Sequence, residues 1–131
     1  RITALPHTTM THGLPGRALF IGWGEIVRGR EKRALESFND TAEYVGRLQQ
    51  EGKIERFDVA LLTPHGSDLG GFWLVRGTAE QIDSITRDEE FQRRIARVRL
   101  LVDRLGVVDA FVDEGLAKVT SQYQDELKGL D

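Results

Sequence analysis

The chain has 131 residues, a length typical of a single domain. Hydrophobic residues make up 40% and charged residues 30%, which is the balance of a globular protein and too apolar for a disordered chain. The net charge of −3 argues against a protein that wraps nucleic-acid phosphates. The sequence contains no cysteine, which excludes disulfides, thiolate zinc sites, iron–sulfur clusters and a cysteine nucleophile.

The two ends of the sequence bear on targeting. No apolar run approaches the roughly 20 residues that span a bilayer, so we expect no membrane association. Residues 1–16 lack the apolar centre of a signal peptide and contain two prolines, which predicts an extended arm ahead of one domain over 17–131. Met10 is a candidate natural start, with residues 1–9 upstream of it. A cytoplasmic location is the default expectation.

The first half of the domain alternates a strand, a helix and a strand. The run from Ala18 to Val27 is apolar at nearly every position, which predicts a strand covered on both faces. An apolar stripe at steps of three and four then predicts a helix that ends near Gly52. Its members are Leu35, Phe38, Ala42, Val45 and Leu48. The apolar segment from Ile54 to Leu62 predicts a second strand.

The second half begins with the turn residues 63–68 and a third strand over 72–76, which together predict a hairpin. Thr78 and Gln81 form a capping box at the start of a short helix, and residues 86–89 repeat the capping signal, which predicts a break and a restart. The restarted stripe favours a helix up to Gly106, although alternation at Val98, Leu100 and Val102 leaves a strand open. Its members are Phe91, Ile95, Val98, Val102 and Leu105.

The last two elements are a strand over 107–112 and an amphipathic helix with its own apolar stripe. The stripe consists of Leu116, Val119, Tyr123 and Leu127. The resulting order β-α-β-β-α-β, followed by a helix, predicts an α+β ferredoxin-like fold. Right-handed crossovers then place the third strand between the first two, and the first strand between the third and fourth, in a four-stranded antiparallel sheet.

Both crossover helices of this fold lie on one face of the sheet, so the other face needs a cover. Because the first strand is apolar on both sides, we expect a second copy of the sheet to cover it in a homodimer. The C-terminal helix is the competing cover.

Three segments carry a resemblance to a known family: residues 70–74 (Gly-Gly-Phe-Trp-Leu), 78–81 and 88–91. The chain resembles the dimeric α+β-barrel superfamily, and within it is similar to small bacterial proteins related to the YCII type. The resemblance implies two ferredoxin-like subunits packed sheet to sheet. The YCII pattern pairs a histidine after strand one with the aspartate of an Asp-Pro pair, but no histidine lies between Gly16 and His65, and Glu89 stands in place of the proline. That catalytic pair is therefore not carried over, and the superfamily's varied activities fix no function.

The predicted topology gathers several side chains at one end of the sheet. We hypothesise a pocket there for a small anionic or aromatic ligand, with Trp23 and Trp73 as walls and Arg28 or Arg30 supplying the charge. His65 and Glu25 are the candidate acid or base. The alternative is a solvated loop end with ordinary salt bridges. Glu25 shares the parity of Trp23, so burial would raise its pKa and suit it to act as a base. More often such a glutamate reaches water or pairs with an arginine.

Gly22 and Gly24 flank Trp23 and mark a close approach of a ligand or of another backbone. The alternative is tight packing of a helix or of a partner sheet. The sequence contains no metal-binding or dinucleotide motif, so no metal and no cofactor is expected. The arginines of the second helical region are diluted by acidic residues, which favours a solvated face over a nucleic-acid surface. We therefore expect a small-molecule-binding protein, with an enzyme that needs no cofactor as one form of it, and a non-enzymatic dimerisation module as the alternative.

Overall fold

The computed structural model describes residues 16–130, so all but the last residue of the expected N-terminal arm lies outside the described residues. The chain alternates strands and helices in the predicted order. The strands are β1 (Arg17–Trp23), β2 (Arg56–Leu61), β3 (Gly71–Gly77) and β4 (Gly106–Phe111). The helices are α1 (Glu31–Gln50), α2 (Ala79–Arg87), α3 (Glu89–Val98) and α4 (Asp113–Lys128).

The four strands form one antiparallel sheet in the order β2-β3-β1-β4. This order confirms the predicted ferredoxin-like arrangement, with β3 and β1 at the centre. Ile21 on β1 lies opposite Trp73 on β3 and Val107 on β4. Residues of the same parity as Ile21 therefore face the helices, and those of the same parity as Phe20 face the opposite side.

Two predicted boundaries are wrong for one shared reason. β1 ends at Trp23 instead of Val27, and α3 ends at Val98 instead of continuing to Leu105. The residues that follow each element pair with one another, since Val27 N–H donates to the Leu101 carbonyl at 2.8 Å and Ile26 forms a bridge with Val102. This pairing takes the backbone groups that a longer strand and a longer helix would have used.

The break between α2 and α3 is confirmed, as is the capping box at Thr78. The second cap is Asp88, while Thr86, the first residue of the repeated signal, lies inside α2 and donates to the Asp83 carbonyl. The Thr78 hydroxyl accepts from the Gln81 N–H at 3.1 Å, while the Gln81 side chain accepts from the Thr78 N–H at 2.9 Å. Asp88 then caps α3 by accepting from the Phe91 N–H at 3.3 Å. Nearby side chains thus accept from otherwise unpaired backbone N–H groups at the start of each helix, so α2 and α3 begin independently of one another.

The core lies between the sheet and the helices α1, α2 and α3. Leu19 of β1 and Ile82 of α2 are fully buried at its centre. The stripe predicted for α1 is shifted at its start, because Ala34 is buried while Leu35 is 62% exposed. The buried core consists of Leu19, Ile21, Tyr44, Val45, Leu48, Ile54, Trp73, Val75, Ile82, Ile85 and Phe91.

The opposite face of the sheet, called here the open face, carries Phe20, Phe72, Leu74 and Val108. The Phe20 and Phe72 rings stack with centroids 5.4 Å apart. Val108 is 56% exposed. Helix α4 packs beside β4, and its first residue, Asp113, pairs with Arg76 of β3 and Arg56 of β2, but none of its residues, all of which are described, is buried. Among the described residues, α4 therefore leaves Val108 exposed and the other three apolar side chains of the open face partly exposed.

Candidate functional site

A cavity of about 270 Å³ lies between the helix-facing side of the sheet and the helices α1 and α3. Its lining is almost wholly apolar. The sheet side is formed by Leu19, Ile21, Trp23, Leu61, Trp73 and Val75. Most of the helix side is formed by Ala34, Leu35, Phe38, Tyr44, Val45, Leu48, Ile85, Phe91, Ile95 and Val98. An apolar engineered cavity of about 150 Å³ can already hold benzene, so this space suits a larger aromatic or aliphatic molecule.

Three aromatic side chains build one wall of the cavity. Phe38 of α1 lies against both indoles, with its ring centroid 6.4 Å from Trp23 and 5.3 Å from Trp73. On its other side Trp73 packs against Phe57 of β2 at 6.0 Å, which holds the indole in place. Edge-to-face and tilted contacts of this kind stabilise aromatic clusters beyond the area that they bury. The wall is therefore an aromatic surface whose rings hold one another in place.

The mouth of the cavity is apolar as well. Ile26, Leu35 and Leu61 line the cavity and are 45%, 62% and 67% exposed. They come from the segment after β1, the first turns of α1 and the end of β2. Exposed apolar side chains that ring an opening are typical of binding sites for apolar ligands.

The segment that carries Ile26 is held by Asp103. The Glu25 N–H donates to the Asp103 carboxylate at 2.7 Å, and the Asp103 N–H donates to the Glu25 carbonyl at 2.8 Å. The Gly24 N–H donates to the Asp103 carbonyl at 2.9 Å. These three bonds fix one side of the cavity mouth.

Arg94 of α3 is the one charged side chain that lines the cavity among residues 16–130. Its guanidinium lies 4.3 Å from the Tyr44 ring centroid and donates to Asp40 at 2.6 Å and to Glu90 at 3.1 Å. Burial lowers the pKa of Arg94, but hydrogen bonds to Asp40 and Glu90 outweigh it and raise the pKa. The hydrogen bond from Arg94 lowers the pKa of Glu90. The positive charge is thus matched by two carboxylates.

Tyr44 forms the boundary between this charged group and the apolar cavity. Its side chain is 5% exposed. Burial, followed by the nearby charges of Asp88 and Glu90, raises the pKa of Tyr44 to about 12. The phenol therefore stays protonated and neutral at physiological pH.

The structure separates the predicted ligand-binding residues into two groups. Trp23 and Trp73 both line the cavity. Gly22 and Gly24 do not: a Cβ on Gly22 would meet the Phe20 ring and Leu69, and one on Gly24 would meet the Asp103 carboxylate. The space beside each glycine is filled by this chain's own atoms, as the packing alternative expects.

The predicted polar residues lie at the surface. Glu25 and Arg28 are exposed, so Glu25 fits the alternative of a strand-end glutamate that reaches water. His65 is exposed, and its Nε2 lies 2.8 Å from the Leu69 carbonyl. The loops do converge at this end, since Arg104 pairs with Asp68 at 2.9 Å.

Sequence reasoning missed Arg94 and Tyr44. Nothing along the chain links them: Arg94 is one of the arginines assigned to a solvated helix face, and Tyr44 is not a member of the predicted apolar stripe. The signal for Arg94 was its position three residues after Phe91 and one before Ile95, on the edge of the apolar stripe. Its contacts with Asp40 and Tyr44 are long-range and follow only from the packing of α3 against α1.

Within the described residues, His, Asp and Glu side chains form no group of three or more that is placed to hold a metal ion. None of the described helices combines the length and apolarity needed to cross a membrane.

Two solved structures share this fold. A dimeric ferredoxin-like protein of unknown function from Jannaschia sp. CCS1 is 13% identical, with a TM-score of 0.58, over 74% of this chain and 99% of that one. A dimeric ferredoxin-like protein of unknown function from Bacteroides fragilis NCTC 9343 is 12% identical, with a TM-score of 0.54, over 73% of this chain and 96% of that one. No protein-family model and no curated protein matches the sequence. The ferredoxin-like fold is thus shown, while the narrower resemblance to YCII-related proteins stays a prediction.

Proposed function

We propose that this protein binds a small, neutral, apolar or aromatic molecule in the cavity between its sheet and its helices. The observation that carries the proposal is the lining, in which the Trp23–Phe38–Trp73 wall faces aliphatic side chains of α1 and α3. Protein interiors are normally packed to crystal-like density, and an empty space forfeits contacts. A cavity of about 270 Å³ with an apolar mouth is therefore better accounted for by a ligand than by assembly alone.

The charges favour a neutral ligand over the anionic one expected from the sequence. Arg28 is exposed and does not line the cavity. Arg94 does line it, but Asp40 and Glu90 accept its N–H groups, so an incoming carboxylate would meet two fixed carboxylates nearby. A buried anion without a partner is costly. Of the two ligand classes expected from the sequence, anionic and aromatic, the proposal retains the aromatic one.

The proposal includes a homodimer formed through the open face. Phe20, Phe72, Leu74 and Val108 form an apolar patch on the open face, and α4 leaves the patch partly exposed. The charged residues Arg56, Asp58 and Arg76 border this patch on the same face. The two solved proteins of this fold are described as dimeric, which supports the same assembly here. A cyclic twofold dimer buries this patch against its own copy.

Catalysis through Glu25 and His65 stays a prediction of lower rank, since both side chains are exposed and outside the cavity lining. A cytoplasmic protein of bacterial origin that works without a cofactor also stays an expectation. The rival function is a dimerisation module whose apolar faces serve assembly alone. The two functions differ in whether the cavity binds anything.

Binding of a matched pair of probes tests the proposal. We expect isothermal titration calorimetry at pH 7 to detect 2-naphthol binding, with 2-naphthoate at least about tenfold weaker because it adds a carboxylate to the same ring system. Ala34 is buried and lines the cavity, so Ala34→Leu fills part of it and should weaken 2-naphthol binding at least about tenfold.

Ala96→Leu is the matched control, because Ala96 is exposed on α3, a helix that also borders the cavity, and does not itself line the cavity. It should bind 2-naphthol like the parent protein. Equal affinity for the two probes would contradict the neutral ligand class. Absence of 2-naphthol binding, or equal binding by Ala34→Leu and the parent, would move the assignment to the dimerisation module.

A further inference from the structure

The C-terminal helix α4 presents an apolar stripe that no other residue among 16–130 covers. Leu116, Tyr123 and Leu127 are 54%, 65% and 45% exposed, and Leu130 in the turn after the helix is 81% exposed. With Val119, these side chains fall within about 80° of one another around the helix at 100° per residue. A helix of this length is marginal in water without a packed face, so the stripe needs an occupant.

The spacing of the stripe is symmetric. Successive members, from Leu116 through Val119, Tyr123 and Leu127 to Leu130, are three, four, four and three residues apart. The sequence of intervals reads the same in both directions, with Tyr123 at its centre. A surface with this symmetry is complementary to its own copy when the second helix runs antiparallel, which is the arrangement that a twofold axis produces.

We propose that α4 pairs antiparallel with α4 of a second copy of this chain, with the twofold axis at Tyr123. Leu116 then lies opposite the partner's Leu130, and Val119 opposite the partner's Leu127. The pairing rests on the homodimer of the proposed function and adds a second contact to it.

The dipoles of the two helices favour the antiparallel direction. Antiparallel pairing sets the two dipoles in opposite directions, so the ends of one helix lie beside ends of opposite partial charge. Parallel pairing would instead align the dipoles and place Lys128 beside Lys128 of the partner subunit.

The first turn of α4 is held against the sheet, while the apolar stripe of the helix points away from the rest of its own chain. Asp113 has φ 51° and lies 3.4 Å from Arg76, a residue of the open face. Gly115 lies so close to Gly16 that a Cβ there would meet the Gly16 carbonyl. The helix therefore starts at the edge of the open face while its apolar stripe stays exposed.

The area of the open face gives a further reason for a second contact. Four strands spaced about 4.8 Å apart and about 20 Å long make a flat footprint of roughly 400 Å². Each partner of a standard stable interface buries about 800 Å². A helix pair continuous with the edge of the sheet adds to a footprint that is small by itself.

Cysteine cross-linking of the full chain tests the axis, because the native sequence has no cysteine. Under mild oxidation, Tyr123→Cys should form a disulfide-linked dimer at least about tenfold faster than Gln124→Cys, whose side chain lies about 100° away around the helix. Tyr123 is exposed within one subunit, so its replacement leaves the fold of that subunit intact. Equal rates for Tyr123→Cys and Gln124→Cys would overturn the pairing. Linkage of Leu116→Cys as fast as that of Tyr123→Cys would indicate a parallel pair instead, because the antiparallel pair keeps the two copies of residue 116 about 20 Å apart.

Opposite charges at the axis give an independent check. Tyr123→Glu and Tyr123→Lys should each weaken the dimer, since each variant faces its own charge, whereas a mixture of the two should form the heterodimer preferentially. A mixture that forms no excess of heterodimer would contradict a twofold axis at this residue. Light scattering on the native chain separates the proposed homodimer from the proposed helix pairing. A monomer would contradict both. A dimer without selective linkage of Tyr123→Cys would contradict the helix pairing alone.

Discussion

At the scale of single residues, Tyr44 joins the apolar cavity to the charged groups of α1 and α3. Its ring lines the cavity, and two guanidinium groups lie over the ring, Arg94 at 4.3 Å and Arg47 at 5.4 Å. Cations stacked on an aromatic face are attracted to its π electrons. The same arginines donate to Asp40 and Glu90, and these carboxylates match the positive charge that lies beside the cavity.

The raised pKa of Tyr44 predicts how the stability of the fold changes at alkaline pH. Its pKa is raised from 10.0 to about 12, mainly by burial. The unfolded chain therefore loses this proton at lower pH than the folded chain does, so the contribution of Tyr44 to stability is full below pH 10 and is lost as pH rises toward about 12. Urea denaturation at pH 9, 10 and 11 should show a smaller loss of stability for Tyr44→Phe than for the native chain.

Absorbance at 295 nm provides the spectroscopic control. The difference between the native chain and Tyr44→Phe isolates one phenol, whose midpoint should lie well above 10 in buffer and return to about 10 in concentrated urea. The same midpoint in both solvents would show that the fold does not hold the phenol in its neutral form.

At the scale of elements, the pairing of residues 24–27 with 101–103 shapes the mouth of the cavity. Asp103 bonds to Gly24 and to both backbone groups of Glu25, and this places Ile26 at the opening. The connection after β1 and the connection before β4 thereby form one unit. Movement of this unit would change access to the cavity without disturbing the sheet.

Removal of the Asp103 carboxylate should loosen this unit locally. A hydrogen bond to a charged group contributes about 1.5 kcal/mol, so Asp103→Ala should speed hydrogen exchange of the Glu25 amide about tenfold. Asp103→Asn keeps an acceptor oxygen and should lie between Asp103→Ala and the native chain. The amide of Val75, in the central strand, reports global opening and should be unchanged. Equal acceleration at Glu25 and Val75 would mean that the substitution destabilises the whole domain.

The elements also mark how far sequence reasoning reaches. Strand order follows from local periodicity and crossover handedness, and the break at Asp88 follows from capping chemistry within four residues. The ends of β1 and α3 do not follow from local signals, because the hydrogen bonds that set them join Glu25 to Asp103, 78 residues apart. The position of the cavity could not be predicted from the sequence for the same reason. Trp23 and Trp73 were identified as walls, but the space beside them depends on how α1 and α3 pack.

At the scale of the whole molecule, the cavity and the proposed dimer face lie on opposite sides of one sheet. Leu19, Ile21 and Trp23 point to the cavity, while Phe20 points to the open face. This alternation explains why β1 is apolar at successive positions, since alternate residues lie on different surfaces. The proposed ligand binding and the proposed dimerisation therefore use separate sets of side chains, and we expect a substitution on one face to leave the other intact.

Val108 provides the test of that separation. It is 56% exposed on the open face, opposite Phe20, so Val108→Lys places a charge in the proposed interface without opening the core. We expect the dimer dissociation constant to rise at least about tenfold, as measured by light scattering over a concentration series, because an unpaired buried charge is costly. Leu100→Lys, at a residue 63% exposed in the turn after α3, is the matched control and should keep the native dissociation constant. Val108→Lys should also bind 2-naphthol with native affinity. If its dimer dissociates with the native constant, the open face is not part of the dimer interface. If it loses 2-naphthol binding, the cavity needs the partner subunit.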